Sequence, residues 1–413
     1  MKRRYPLRLY LAGALAARAG DEMSGPALLL AGFTAAGSPG DASSLLAGIT
    51  ASAAVGGPVL GVLLDRAARP GRPLAVALML YAAGLGAVLA TLGRLPFAVT
   101  VLIAVCTGLL GPALSGGWTA QLPRVVAGDR LPRANALDAM TFGVAGLVGP
   151  ALAGGAAELL GGPPAVVIAA GLIGVALPAA WLLPAAPGRA DRPTPGPGPR
   201  SGRVVRLPPV CGEIAAGARA IVQRPLLARA TLSSVVCCVA QGMLTACTAP
   251  IGEHALGGAG RGAMLLFLAA VSALAANAVL VRFPRRAEPA TIIRAGALVQ
   301  AAALALAASL RPGPLIVAAL LLGVGEGPLL TALFAVRHRE APNRLRGQIF
   351  TTGASLKITG FALGAWAAGP LAARSLPGTL LLAASVSALG ALATTRGGHG
   401  APGSTEPDPG GRP

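Results

Sequence analysis

Long stretches without a charged residue limit what this chain can fold into more than any other feature. A helix that crosses a bilayer needs about 20 mostly apolar residues. The sequence offers twelve such windows, separated by turns rich in Gly and Pro. Seven are uncharged apart from one terminal glutamate: Ala42–Leu64, Pro73–Gly93, Leu95–Pro123, Leu159–Gly188, Ala230–Glu253, Gly262–Val281 and Ser375–Thr395. Five carry one charge or a few: Leu9–Phe33, Ala134–Gly161, Thr291–Leu310, Pro312–Val336 and Gly347–Ala373.

Composition narrows the class of protein further. Charged residues make up 12% of the chain and hydrophobic residues 54%. A soluble domain carries about 25% charged residues, so this chain has too little polar surface to cover a water-soluble globule. A soluble enzyme, a disordered chain and a disulfide-stabilised secreted fold are therefore excluded. The sequence predicts an all-α integral membrane protein with twelve transmembrane helices.

The formal net charge of +19 is distributed unevenly between the loops. If the N-terminus lies inside, the outer loops carry only Arg94, Arg261, Arg311 and Arg374. An excess of Lys and Arg marks cytoplasmic loops, which predicts a multi-pass plasma-membrane protein with both termini in the cytoplasm and a basic face suited to anionic lipids. Aromatic residues make up 3% of the chain, too few for base stacking, so no nucleic-acid partner is expected. The inner loops hold Lys2, Arg3, Arg4, Arg8, Arg66, Arg69, Arg72, Arg124, Arg130, Arg133, Arg282, Arg285, Arg286, Arg294, Arg337, Arg339, Arg344 and Arg346.

A Pro- and Arg-rich segment divides the chain into two halves. We predict a six-helix half over residues 1–183, an extended cytoplasmic linker over 184–224, a second six-helix half over 225–396 and a disordered cytoplasmic tail over 397–413. A weak repeat at an offset of 216 residues supports the division, because Arg66 then aligns with Arg282 and Gly111-Pro112 with Gly327-Pro328. Two parallel six-helix repeats are one architecture of secondary transporters.

The segment after the second span reads Gly61-Val62-Leu63-Leu64-Asp65-Arg66-Ala67-Ala68-Arg69. It resembles the G-x-x-x-D-R-x-G-R signature of the major facilitator superfamily, in the loop where that family carries it, with Ala68 in place of the usual Gly. The resemblance implies two rocking halves and a gate. At that gate Gly61 permits close helix packing, and Asp65 pairs with a cation or a helix N-terminus. Arg66 and Arg69 keep this loop at the inner membrane face. The alternative is a positive inner loop with an incidental Asp.

The fifth span contains the run Gly146-Leu147-Val148-Gly149-Pro150-Ala151-Leu152-Ala153-Gly154-Gly155. It resembles the glycine–proline element in the fifth helix of exporters of the same family, which is associated there with proton-driven antiport. Small residues four apart form a smooth helix face, and Pro150 kinks the helix. We therefore expect Gly146, Gly149, Gly154 and Gly155 to pack tightly and let the helix slide, with generic glycine packing as the alternative. The fourth span lacks the Arg-x-x-x-Gly pattern of many drug exporters.

An ionisable side chain inside the membrane costs free energy, so we interpret each one first as part of a functional site. In the first span, Arg18 precedes Asp21 and Glu22 by three and four residues, so both acids share its helix face. At ~1.5 Å per residue they lie roughly 14–20 Å from the entry at Leu9. One Arg cannot neutralise two acids, so one acid is available for a proton or a substrate. The two acids are equivalent at this level, and an ion pair that only stabilises packing is the alternative.

The second half contributes Glu326 in the tenth span and Lys357 in the eleventh. We expect an ion pair between these helices, with Lys357 extending to the inner surface as the alternative. Asp138 and Glu158 lie near the ends of the fifth span and are interpreted as interfacial. The three His residues fall in loops or the tail, and the Cys spacing fits no metal, so neither a metal nor a cofactor is expected. Further polar or bulky residues are candidates to line a cavity or to join helices: Asn277, Gln121, Gln241, Gln300, Trp118 and Met23.

These features predict a secondary active transporter and not an enzyme. We expect a monomer that exports a small hydrophobic molecule, such as a drug or secondary metabolite, by proton antiport. Asp21 or Glu22 would carry the proton, and Arg18 would adjust the proton affinity of that acid. Glu326 and Lys357 would place charge in the second half of the cavity. The alternatives are nutrient uptake by symport or facilitated diffusion on the same fold and, less favoured, a membrane enzyme or a non-transporting sensor or scaffold.

Overall fold

The structure, a computed structural model, describes residues 5–36, 39–126, 128–185, 210–282 and 287–394. The predicted tail and most of the predicted linker lie outside these ranges. The described residues form fourteen α-helices and no β-strand. The first seven are α1 (Leu7–Ala36), α2 (Pro39–Arg66), α3 (Gly71–Thr91), α4 (Phe97–Gly108), α5 (Leu122–Val125), α6 (Leu131–Leu160) and α7 (Gly162–Trp181). The others are α8 (Val210–Gln223), α9 (Pro225–Ala255), α10 (Ala263–Arg282), α11 (Pro289–Ala307), α12 (Pro312–Glu340), α13 (Arg346–Arg374) and α14 (Leu376–Leu392).

All helices except α5 and α8 correspond to the twelve predicted spans. Among the described residues, nine helical segments are long and apolar enough to cross a membrane, and α14 is a shorter apolar helix of 17 residues. The remaining two, α1 and α13, carry ionisable residues near mid-length. The α4 segment continues through a turn of π-helix at Ala113–Gly117.

Proline and glycine set many of the helix boundaries. Proline occupies one of the first two positions of α6, α7, α9, α11, α12 and α14, where its fixed φ suits a helix start and its missing N–H costs nothing. Gly161 ends α6 with a φ of 95°, a left-handed conformation that only glycine adopts readily, and α7 starts at the next residue.

The structure corrects the prediction of an extended linker over 184–224. Its last part forms the helix α8, because apolar residues recur on one face of this segment and have a surface to cover. Ile221 is buried in a small cluster with Leu227, Leu345 and Ile349, which lie at the starts of α9 and α13. The linker is therefore attached to the second half by apolar packing.

A second correction concerns the end of α12. The sequence pattern predicts Arg337 and His338 in an inner loop, but α12 continues to Glu340 and both side chains are buried. The helix extends because Arg337, His338 and Arg339 favour a helix C-terminus, where the macrodipole is negative.

Most of the buried apolar side chains form separate clusters in the two halves, and one small cluster contains residues of both. The largest comes from residues between Tyr10 and Leu183, and two others come from residues between Ala230 and Ala391. The halves meet where α2 packs on α13 and where α6 packs on α10 and α12. We call the end of the bundle at which α2 ends and α13 begins the basic end, because its loops carry most of the arginines.

Candidate functional site

A cavity of about 330 Å³ lies between the two halves, bordered by α1 and α6 on one side and by α9, α10, α12 and α13 on the other. Among the described residues, three ionisable side chains line it: Glu22, Glu326 and Lys357. Gln241 and Asn277 add amide groups, and most of the remaining wall is apolar. With all three groups ionised the cavity carries two negative charges and one positive charge. Residues predicted from both halves thus meet at one site.

The predicted ion pair between Glu326 and Lys357 does not form. No nitrogen–oxygen distance within 4 Å joins them among the described residues, although both line the same cavity. The separation follows from helix packing, because α12 packs mainly on α10 and α11 while α13 packs on α2 and α9. The two charges therefore face a common space in which a bound molecule could contact both.

The two neighbouring acids of α1 point to different surroundings. Glu22 lines the cavity. Asp21 accepts a hydrogen bond from the Tyr81 hydroxyl of α3 at 2.9 Å, and the Ser24 hydroxyl lies 2.9 Å from the same Tyr81 oxygen. Successive helical residues are about 100° apart around the axis, and here the two side chains face different neighbours. The structure separates two groups that the sequence left equivalent.

Arg18 pairs with Asp138 of α6 and not with the acids of its own helix. The guanidinium lies 3.0 Å from the Asp138 carboxylate, and the two side chains are 2% and 0% exposed. The interpretation of Asp138 as interfacial is therefore wrong, because α6 begins at Leu131 and places this residue two turns inside the helix. Thr119 and Tyr10 donate further hydrogen bonds to the carboxylate at 2.9 and 3.1 Å. Glu158 lies exposed near the opposite end of α6.

Aromatic rings fill the space between the cavity and the basic end. Phe142, which lines the cavity, packs on Phe334 with ring centroids 5.7 Å apart, and Phe334 packs on Phe350 at 6.0 Å. Arg18 lies over the Phe142 ring at 3.7 Å. The His338 ring stacks on Phe350 at 4.5 Å. These side chains belong to both halves and form the floor of the cavity.

Asp65 joins the halves below this floor. Its carboxylate accepts hydrogen bonds from the backbone N–H groups of Gly347 and Gln348, at 2.7 and 2.9 Å. These groups are in the first turn of α13, where unsatisfied donors and the positive end of the dipole favour an anion. A Cβ on Gly61 would lie 2.2 Å from the Cα of Gln348, so only glycine allows this contact.

The linker helix α8 closes over the same contact. Glu213 forms an ion pair with Arg66 at 3.0 Å, and its carbonyl oxygen accepts a hydrogen bond from the Gln348 side chain at 2.9 Å. Glu213 thus bridges the end of α2 and the start of α13. Arg69, the other predicted gate residue, is exposed.

The glycine-rich run of α6 packs in a different register from the predicted one. A Cβ on Gly149 would lie 2.6 Å from the Cβ of Glu22, which shows close contact with α1. A Cβ on Gly146, Gly154 or Gly155 would meet no heavy atom within 4 Å. The tight packing expected of those three is therefore wrong for this conformation. The buried stripe of small residues is Ala145, Gly149 and Ala153, four apart.

Hydrogen bonds between the halves are confined to the basic end and the middle of the bundle. Within the described ranges there are five: two to Asp65, two that connect Ser355 with Ala53 and Gly57, and one from His338 to the Thr119 carbonyl. The cavity is therefore sealed towards the basic end by backbone contacts, aromatic rings and α8.

Sequence reasoning missed Glu213, Tyr81 and the role of Asp138. For Asp138 a pattern was available, because it continues the Ala145–Gly149–Ala153 stripe through Thr141 at helical spacing. Glu213 is the only acid of α8, but nothing local indicates its partner. Tyr81 lies in an apolar span without a distinguishing pattern.

Two six-helix halves around a charged cavity sealed at one end define a secondary transporter. The family model described as Major Facilitator Superfamily matches residues 10–365, so the chain belongs to that family and is a transporter, not an enzyme. Its fold is the major facilitator fold of two parallel six-helix repeats.

Several known proteins are similar to this chain. An uncharacterized MFS-type transporter, y4rN, from Sinorhizobium fredii is 28% identical over 302 residues, which are 72% of this chain and 71% of the relative. A bacterial homologue of the iron transporter ferroportin in an outward-facing state superposes with a TM-score of 0.72 at 16% identity, over 94% of this chain and 98% of the other. The human organic anion transporter MFSD10 (TETRAN) gives 0.70 at 16% identity, over 96% and 100%. The proton:xylose symporter XylE gives 0.66 at 13% identity, over 93% of each chain.

Proposed function

We propose that this transporter exports a small hydrophobic molecule across the plasma membrane by proton antiport, with Glu22 as the coupling carboxyl. The observation that carries the proposal is the cavity itself, where Glu22 faces Glu326 and Lys357 across a largely apolar space. A carboxyl that lines the cargo space can be reached by either a proton or the cargo. Competition between the two for one group produces antiport when the transporter reorients only with that group occupied.

The surroundings of the two acids in α1 favour Glu22 over Asp21. Asp21 is held by the Tyr81 hydroxyl inside the first half. The Glu22 carboxylate has no hydrogen bond or ion pair within the described residues. An ionised carboxylate in an apolar cavity is costly unless it is paired, so Glu22 gains most from a proton or a cationic group.

The cavity lining also limits the cargo class. A small, largely apolar wall with one excess negative charge suits a neutral or singly cationic hydrophobic molecule. One chain contains the whole cavity, which is consistent with a monomer. The energy source in this proposal is the proton gradient, without a cofactor. Loop charges support placing the basic end in the cytoplasm with both termini. In that orientation the cavity is sealed from the cytoplasm in this structure.

The test is dye transport into liposomes that carry the purified protein and are acidic inside. Permanently charged quaternary dyes are used beside neutral ones, because a dye without a titratable group is not trapped by pH alone. We expect dye to accumulate while protons leave, and protein-free liposomes to show neither. Dye and protons that move in the same direction would indicate symport, and dye movement independent of the pH gradient would indicate facilitated diffusion. Either result would contradict the proposal.

A further inference from the structure

A second large concavity, of about 920 Å³, lies at the basic end of the first half and does not belong to the central cavity. It is bordered by the start of α1, residues 124–126, Arg130, the start of α6 and Pro184 after α7. Its lining includes Tyr5, Leu7, Arg8, Leu11, Arg130 and Arg133. We call it the arginine groove.

The arginine groove concentrates positive charge. Four arginines and no Asp or Glu stand among the described residues of its lining. Arg8, Arg130 and Arg133 take part in none of the three ion pairs found among the described residues, and all three are exposed. Asp129, the acid adjacent in sequence to Arg130, is outside the lining and forms no such pair either. A concavity lined by one sign of charge with apolar walls focuses its field on whatever enters it.

The remaining wall is apolar and fixed in place. Leu7, Leu11 and Leu137 come from helices that enter the membrane. The Tyr5 hydroxyl donates a hydrogen bond to the Ala179 carbonyl of α7 at 2.7 Å, which holds the segment before α1 against the bundle. Burial raises the pKa of Tyr5 to about 12, so this phenol stays neutral and brings no negative charge to the groove.

We infer that the arginine groove binds the phosphate headgroup of an anionic phospholipid from the adjacent leaflet. Guanidinium groups recognise phosphate through charge-assisted, bidentate hydrogen bonds. A free phosphate would use only the arginines, whereas a lipid would also cover the leucines with its first acyl carbons. The groove offers both surfaces side by side. The bound lipid would connect α1 with α6, the two helices that also carry Glu22 and Gly149.

Native mass spectrometry of the delipidated full-length protein tests this inference. The probes are phosphatidylglycerol, phosphatidylcholine and inorganic phosphate. The groove variant is Arg8→Gln/Arg130→Gln/Arg133→Gln, and the matched control is Arg94→Gln/Arg311→Gln/Arg374→Gln, which removes the same charge from exposed positions at the opposite end. We expect one tightly bound phosphatidylglycerol in the wild type and the control, and roughly 100-fold weaker binding in the groove variant, because each surface Arg contributes a few-fold.

Three results would overturn the inference. One is equal phosphatidylglycerol binding by the groove variant and the control. The second is displacement of the lipid by millimolar inorganic phosphate, which would mean that the acyl chains contribute nothing to binding. The third is equal affinity for phosphatidylcholine, which would mean that no anionic lipid is selected. If the triple variant does not fold, Arg130→Gln and Arg133→Gln are measured singly, each with an expected loss of about fivefold.

Discussion

The ion pair between Arg18 and Asp138 is the most deeply buried charge contact of the protein among the described residues. Its partners are 120 positions apart, on α1 and α6, and two hydroxyls complete the carboxylate's hydrogen bonds. A pair of this kind adds little net stability over apolar residues, but removing one partner leaves a buried charge uncompensated. Its role is therefore to fix the position of α1, and with it the direction in which Glu22 points.

We predict that Asp138→Asn lowers the free energy of unfolding by about 3–5 kcal/mol, because Arg18 remains buried without a counter-ion. The measurement is chemical unfolding in mixed micelles. Glu158→Gln, an exposed change on the same helix, is the control and should leave stability within about 0.5 kcal/mol. The double variant Arg18→Met/Asp138→Leu should recover most of the loss. Equal stability of Asp138→Asn and Glu158→Gln would refute the account of this pair.

At the scale of the helices, the contact of α2 with α13 shows what a sequence can and cannot reveal. The motif at Gly61 and Asp65 was recognisable because it is local and its chemistry demands a glycine and an acid. Its partners were not, because the first turn of α13 lies nearly 300 residues further along the chain. Helix α8 was missed for a different reason, since Pro and Arg upstream obscured the apolar face of a short helix.

Gly61→Ala should open the basic end. A Cβ at this position would lie 2.2 Å from backbone of α13, so α2 and α13 must separate at a cost of about 1–3 kcal/mol. Spin labels at Ala68→Cys and Arg344→Cys, both exposed, in a cysteine-free background report the distance across the gate. Gly86→Ala in α3, where a Cβ would meet nothing within 4 Å, should leave that distance unchanged. An unaltered distance in Gly61→Ala would count against the gate.

Glu213→Gln should also destabilise the closed gate, but less than Gly61→Ala does. The ion pair with Arg66 is only partly exposed, at 29% and 21%, and a pair of this kind is worth up to about 1 kcal/mol. We expect the population open at the basic end to rise by up to about fivefold in the spin-label experiment. The charge swap Arg66→Glu/Glu213→Arg should restore the closed population more than either single change does. If the open population of the double variant equals that of the two single variants, a specific pairing of Arg66 with Glu213 is excluded.

At the scale of the whole molecule, the halves, the twelve spans and the class of transporter follow from sequence patterns. These features depend on hydropathy and loop charge, which are properties of short segments. The lining of the cavity cannot be predicted from these patterns, because it depends on the orientation of each of six helices about its own axis. Glu22 faces the cavity and Asp21 faces Tyr81 for that reason alone. The register of small residues in α6 was misread for the same reason.

In the proposed antiport Glu22, and not its neighbour Asp21, couples cargo to protons. The direct measurement compares two activities in liposomes, dye accumulation driven by a pH gradient and dye exchange at equal pH on both sides. Glu22→Gln should lose the driven accumulation and keep exchange, because the cavity remains but its proton site is gone. Asp21→Asn, the matched control, should keep both. Driven accumulation that survives in Glu22→Gln, or that is lost only in Asp21→Asn, would contradict the account.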